Sequence, residues 1–429
     1  MRTKTPRYVL LVPDGAADLY REDGRSPLAL AHTPYTDFLA REGVSGRMRT
    51  FYPDLPRESM VAQLGMLGWD PRIYYPHGRS SCELLALQHV YLGDDDLAFR
   101  ANLVRMEGRT LASYSASCIS SADARPLVER VDQILHSEFP EIELYPNSDF
   151  RNTLVIRGAR VDPRRLVCSE PHEHQGREFE VASLIAGTDP ASHALAARIN
   201  AWLARAAALL EGEAANALFP WSASRAFRLP PFAMVSGFPG RVGIVGFMDF
   251  LLGIAHAGEI DFFRLGNGRP DTDFQSKGAK VVELLAAGYD LVVCHVNAPD
   301  EASHLGDLKL KIQCLEAFDR DVVGPVVEYF RSRPDELGGV MVAPDHYTNH
   351  VLEGQRALAH SLDPAPFCLW NGVDRDGVTA FDEDAVLAGR YGATPVSHLD
   401  LLGLLGVERT AAWISNRHRK GDGDVDGAF

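Results

Sequence analysis

The stretch that decides the fold runs Met341-Val-Ala-Pro-Asp345-His346 and ends, after an intervening segment, in His360-Ser-Leu-Asp-Pro-Ala-Pro-Phe367. The apolar run before Asp345 is too short for a helix and has the character of a buried parallel strand. A carboxylate and an imidazole at the carboxyl end of such a strand face the crevice where open α/β sheets hold their ligands. Carboxylate oxygen with imidazole nitrogen suits Zn or Mn. Taken alone, the pair reads more simply as a turn aspartate and a surface histidine.

Other strand ends change that reading. Tyr8 to Val12 is a short aliphatic run closed by Pro13-Asp14-Gly15, which predicts a strand with Asp14 at its carboxyl end. Asp290-Leu-Val-Val-Cys-His-Val is another buried-strand run, and it leads into Asn297-Ala-Pro-Asp300-Glu-Ala-Ser-His304. Asp300 and His304 are one helical turn apart and can face the same point. Ser59, in Pro56-Arg-Glu-Ser-Met-Val-Ala-Gln63, precedes an apolar helical pattern. Its ordinary reading is an N-cap; its functional one is a nucleophile at a helix N-terminus, where backbone N–H groups can hold a phosphate.

Around these motifs the pattern predicts a helix over 28–43, with Pro34 near its start and Gly43 just past its end. From about Ala98 short strand-like pieces alternate with a helix near Asp123–Phe139, the texture of a small α+β insertion. A helix covers 190–211, and Asn216-Ala-Leu-Phe-Pro-Trp reads as an irregular Pro-rich connector. A long helix spans about Asp307 to Arg331, and the polar, Gly-rich residues 416–429 read as a disordered tail. The expected layout is a core of 1–97 and 226–415, interrupted by an insertion over 98–225.

The 429 residues carry a net charge of −15, which argues against a nucleic-acid binder. Six cysteines without a Cys-x-x-Cys pair indicate reduced thiols rather than a disulfide frame. The N-terminus shows no signal-peptide pattern and no run is long enough to span a bilayer, so a cytoplasmic location without membrane association is expected. Oligomeric state is not legible.

A parallel sheet brings its strand ends to one edge. Asp14, Asp300, Asp345, His304, His346 and His360 then make two three-residue clusters, one for each of two divalent ions. Two ions about 3.5–4 Å apart clamp an in-line displacement at phosphorus, and Ser59 is the hydroxyl that fits as nucleophile.

The order Asp14, Ser59, Asp300-x-x-x-His304, Asp345-His346, His360 resembles the alkaline phosphatase superfamily. With Leu64-Gly-Met-Leu-Gly-Trp-Asp-Pro71, Ala98-Phe-Arg-Ala-Asn102 and Asp271 to Lys277, it is similar to the archaeal-type cofactor-independent phosphoglycerate mutases. The resemblance implies an α/β fold: a mostly parallel sheet flanked by helices, with the insertion as a lid closing over glycerate. It implies one ion on Asp14, Ser59, Asp345 and His346 and another on Asp300, His304 and His360. Mn²⁺ comes first, Zn²⁺, Mg²⁺ and Co²⁺ also fit, and no 2,3-bisphosphoglycerate is needed. Ser59 would carry the phosphoryl group between the hydroxyls of phosphoglycerate, a small phosphorylated metabolite, and Lys277 would contact that group. Arg100, Arg151 and His172 in the insertion are candidates for meeting an anionic substrate.

The chain also departs from the family. Met60 and Gln63 stand where an acidic or Asn-Glu sequence and a histidine are usual, Ser117-Cys118 where a Gly-Arg pair is usual, and Tyr347-Thr348-Asn349 where Thr-Pro or Ser-Pro follows the Asp-His pair. These positions point to altered substrate-orienting groups around an intact metal set. The alternative is a phosphohydrolase or mutase of the same superfamily acting on another phosphorylated or phosphonate metabolite.

Overall fold

The computed structural model describes residues 5–87, 90–350 and 360–407. The chain divides into two compact units, Met1–Tyr74 with Leu229–Phe429, and Tyr75–Arg228. The tail over 416–429 lies outside the described residues.

The first unit is built on an eight-stranded sheet. Its order is Asp261–Arg264, Val242–Gly246, Leu291–Val296, Arg7–Pro13, Leu337–Val342, Ala365–Trp370, Val44–Arg49, Tyr391–Ser397. The first five strands run parallel; Ala365–Trp370 opposes both its neighbours, and Val44–Arg49 and Tyr391–Ser397 are again parallel. Arg7–Pro13 sits between Leu291–Val296 and Leu337–Val342, and all six residues of Leu291–Val296 are buried. Helices on both faces close the core, which is why these strands are continuously apolar rather than alternating.

This topology explains the site's location. The parallel strands deliver Asp14, Asn297 and Asp345 to one edge at their carboxyl ends. The reversed strand Ala365–Trp370 brings His360, which precedes it, to that same edge. Val44–Arg49 runs parallel to Leu337–Val342, so the segment leading to Ser59 starts from there too.

Three sequence expectations need correction. The helix expected over 28–43 is two helices, Pro27–Leu30 and Pro34–Arg41. The residue before a proline is biased away from helical geometry, and Thr33, with ψ 61°, is where the chain turns. The helix expected from Asp307 to Arg331 is interrupted by a π turn, Asp319–Val323, between Leu308–Phe318 and Gly324–Arg331. The Asp319 carboxylate there accepts hydrogen bonds from the backbone N–H of Tyr35 and Thr36 and from the Thr36 hydroxyl, at 2.7–3.1 Å, and so caps the start of Pro34–Arg41. The supposed connector after Asn216 is a strand, Ala217–Ser224, paired with Leu97–Glu107. Pro220 is tolerated because this strand has a partner on one side only among the described residues.

The second unit folds around that pairing. Leu97–Glu107 also pairs with Arg151–Ile156, which pairs with Ile142–Pro146. Helices Ser121–Leu135 and Pro190–Leu209 add Val128, Val131, Ile199, Trp202 and Leu203 to a core with Phe99, Leu103 and Leu154.

Candidate metal centre

Seven side chains from five chain segments meet at the sheet edge of the first unit. Asp14, Asp345 and His346 place one ligand-type atom each within 4.8 Å of one another, and so do Asp300, His346 and His360. His346 therefore belongs to both groups. Its Nε2 lies 3.2 Å from Asp14 Oδ1 and 3.7 Å from Asp345 Oδ2, and its ring centroid is 4.1 Å from that of His360. His304, one helical turn beyond Asp300, reaches back with Nε2 3.3 Å from Asp300 Oδ2. Phe51 stacks along His346 at 5.5 Å and makes an apolar wall for the rings.

Ser59 Oγ is 3.1 Å from His346 Nε2. Ser59 is the first helical residue of Ser59–Met66, and Glu58 is the N-cap, with no side-chain cap bond. The N-cap reading of Ser59 is thus set aside: its hydroxyl turns toward the cluster rather than back onto its own helix.

Backbone contacts fix how the rings present themselves. His360 Nδ1 is 2.7 Å from the Arg57 carbonyl, which can only accept, so Nδ1 carries the proton. That leaves His360 Nε2, 3.3 Å from Asp300 Oδ1, as the free lone pair. Asp14 Oδ1 and His360 Nε2 are buried and make no hydrogen bond. Buried groups of this kind are costly without a partner, and oxygen and imidazole donors converging on one point are what a divalent cation takes.

Charge balance leads to the same fit. Burial raises the Asp345 carboxyl, the Asp14 charge adds to it, and it is pushed up to about 6. Burial opposes a charge on His346, yet Asp345, Asp14 and Asp300 together push it up to about 10. Burial also works against ionised Asp300, but His304 beside it holds its carboxyl well below the usual range. Without cations, protons on imidazoles offset the carboxylates; a divalent cation held here would take the place of those protons.

Gly15 permits the close approach of these parts. It has φ +60°, and a Cβ there would lie 2.3 Å from Thr348 Oγ1 and 2.7 Å from Asp300 Oδ1. Its N–H donates to Asp345 Oδ1 at 3.1 Å. Gly15→Ala is expected to destabilise the metal-free protein by about 1–2 kcal/mol through the left-handed backbone alone. It is also expected to lower metal content by displacing Asp300. Thermal unfolding and metal analysis of the purified variant check both; unchanged values would mean the neighbours yield freely.

Two of the neighbours, His295 and Asn297, are not singled out by the sequence. His295 lies in the buried strand Leu291–Val296 with Nε2 3.3 Å from Asp14 Oδ2. Asn297, two residues on, is buried with both amide atoms lacking hydrogen-bond partners. A polar residue inside an otherwise apolar strand is the signal that marks His295. Gln63 donates from Nε2 to Asp345 Oδ2 at 3.0 Å, leaving Oε1 buried and unpartnered. Lys277 is fully buried on Phe274–Ala286, with Nζ donating to the His295 carbonyl at 3.0 Å.

The remaining candidates belong to the inserted unit. Arg100 is buried, stacks on Trp221 at 4.4 Å and pairs with Glu83 at 3.0 Å. Burial pushes its guanidinium down to about 9. The His172 ring lies 5.9 Å from Trp221, and His172 Nε2 is 3.2 Å from Glu170. Arg79, which the sequence does not single out, is 5.2 Å from the same indole. Arg151 stacks on Phe150 instead, at 4.3 Å, though its charge acts on Arg100. Arg100, His172 and Arg79 thus gather around one indole.

The fold and this cluster define a metal-dependent enzyme, and residues 265–404 match the model of the metalloenzyme superfamily. Residues 40–216 match that of 2,3-bisphosphoglycerate-independent phosphoglycerate mutase. The mutase of that name from Methanosarcina barkeri is 32% identical over 93% of this chain and 99% of its own. That from Methanothrix thermoacetophila is 33% identical over the same shares. A Pyrococcus horikoshii protein shares the fold with TM-score 0.73 at 23% identity, over 95% of this chain and 99% of its own. The cofactor-independent phosphoglycerate mutase of Thermoplasma acidophilum does so with TM-score 0.60 at 24% identity, over 94% and 99%. The chain belongs to the 2,3-bisphosphoglycerate-independent phosphoglycerate mutase family.

Proposed function

We propose that this protein interconverts 2- and 3-phosphoglycerate through a phosphoserine at Ser59. The observation that carries this reading is the Ser59 hydroxyl at 3.1 Å from His346 inside a carboxylate–imidazole cluster. Asp14, Ser59, Asp345 and His346 would hold one divalent cation, and Asp300, His304 and His360 a second. Mn²⁺ is the first candidate from the family resemblance, and the mixed carboxylate and imidazole donors are also compatible with Zn²⁺, Mg²⁺ and Co²⁺. Such a pair supplies positive charge against the phosphoryl oxygens and lowers the proton affinity of the serine hydroxyl.

The chain's own groups do the rest. Ser59 Oγ forms a bond to phosphorus as the bond from phosphorus to one substrate hydroxyl oxygen breaks. That oxygen takes up a proton in place of the one Ser59 loses, leaving glycerate. The other glycerate hydroxyl then attacks phosphorus and Ser59 regains its proton, so no phosphoryl donor from outside is consumed. Arg100 and His172, with Arg79, offer cationic and aromatic contacts suited to a carboxylate. Lys277 and Asn297 are the groups in the first unit with donors suited to phosphoryl oxygens. Six free cysteines suit a reducing, cytoplasmic setting; among the described residues no helix is long and apolar enough to cross a membrane.

Incubating Mn²⁺-loaded protein with 3-phosphoglycerate is expected to yield 2-phosphoglycerate with little free phosphate, and chelation is expected to stop it. Phosphate release without 2-phosphoglycerate would replace the mutase reading with that of a phosphohydrolase.

A further inference from the structure

The Tyr347-Thr348-Asn349 segment places a hydroxyl, that of Thr348, between the two ligand groups. Thr348 is fully buried. Its Oγ1 donates to Asp300 Oδ1 at 2.6 Å and lies 3.1 Å from His346 Nδ1. A hydroxyl has one proton to give. An ionised Asp300 can only accept, so the Thr348 proton points at Asp300. The Thr348 oxygen is then left to accept, and His346 must carry hydrogen on Nδ1. The donor lone pair of His346 is thereby assigned to Nε2, the atom that faces Ser59, Asp14 and Asp345.

Thr348 is itself held on several sides. Its N–H donates to the Ala17 carbonyl at 3.0 Å, its carbonyl accepts from Lys311 Nζ at 2.8 Å, and its backbone bridges to His360. Gly15 leaves the space its Oγ1 occupies. The hydroxyl is therefore a preset part, not a side chain free to rotate toward whichever neighbour is charged.

We infer that Thr348 is a positioning residue common to both cation sites: its one hydroxyl sets the His346 tautomer for the first and orients Asp300 for the second. The inference rests on the two-cation reading above. Outer partners of metal ligands typically contribute about 10–100-fold in affinity, and a shared partner spreads that effect over both ions.

The test is titration of Mn²⁺ into metal-free wild type, Thr348→Val and Thr348→Ser, followed by calorimetry and by the metal-induced rise in unfolding temperature. Wild type is expected to bind two ions. Thr348→Val, which keeps the branched shape and removes the hydroxyl, is expected to bind both ions about 10–100-fold more weakly. Thr348→Ser is expected to recover most of the affinity. Wild-type affinity in the valine variant would overturn the inference, as would weakening of one ion only, or a serine variant no better than valine. If valine prevents folding, Thr348→Ala, which adds no atoms, is compared with serine in the same way. Failure of wild type to bind two ions would instead overturn the underlying two-cation reading.

Discussion

Replacing Ser59 with alanine is expected to abolish turnover, by roughly 10⁴-fold or more, while the fold and the metal content stay close to wild type. Loss of the attacking oxygen removes the covalent route altogether, whereas loss of one weak oxygen donor leaves Asp14, Asp345 and His346 in place. Stability should not suffer. Ser59 begins the helix Ser59–Met66 without capping it, since Glu58 holds the cap position and its side chain makes no cap bond. Alanine is also the better helix former. Three measurements decide the matter: mutase rate, bound metal, and mass of the protein after exposure to 3-phosphoglycerate. Wild type should gain a phosphoryl group on the peptide containing Ser59 and the variant none. A rate within about tenfold of wild type, with full metal content, would put the nucleophile elsewhere. A loss of several kcal/mol in unfolding free energy would show that the serine serves the helix after all.

The second large effect is on stability. Lys311 is fully buried, and its Nζ donates to Asp18 Oδ2 at 2.9 Å and to the Thr348 carbonyl at 2.8 Å. Asp18 is equally buried and also accepts from the N–H groups of Tyr20 and His350. The pair ties the loop after Asp14 to the loop after His346. Lys311→Met keeps the volume of the stem but leaves Asp18 charged and short of its cation. Removing one partner of a buried pair typically costs about 3–5 kcal/mol, so urea denaturation should show a loss of that order. The mechanism makes a further claim. In Asp18→Asn/Lys311→Met the stranded charge is gone, and much of the stability should return, because replacing both partners of a buried pair is often close to neutral. A double variant as unstable as the single one would mean that the bond to the Thr348 carbonyl, rather than the ion pair, carries the effect.

Much of the core was readable because buried parallel strands have an unambiguous signature. Tyr8–Val12 and, apart from His295, Leu291–Val296 are apolar on both faces and bounded by turn residues, and both are strands in the sheet. Once strands are parallel, their carboxyl ends share an edge, and Asp14, Asp300, Asp345 and His346 follow without any knowledge of side-chain distances. What was not readable depends on contacts across long separations. That His346 belongs to two groups is a matter of ring placement, which spacing does not encode. Thr348 is mute in sequence, since its place between Asp300 and His346 depends on the missing Cβ of Gly15, more than three hundred residues away. Ala217–Ser224 reads as a connector in sequence because Pro220 argues against a strand, and only its edge position removes the objection. The break at 31–33 and the π turn at Asp319–Val323 depend on each other through Asp319, a tertiary capping contact that no local window contains.

The strand order has a consequence for how the chain must be made. Arg7–Pro13 leaves the ribosome well ahead of the partners on its two sides, since Leu291–Val296 and Leu337–Val342 come some 280 residues or more afterwards. At about 5–20 residues per second, that is a wait of roughly 15–55 s with a bare aliphatic edge exposed. Tyr75–Arg228, being contiguous, is complete long before then. Biogenesis should therefore run out of order: Tyr75–Arg228 folds first, Arg7–Pro13 needs shelter from chaperones meanwhile, and the central sheet assembles only once Leu337–Val342 has been made.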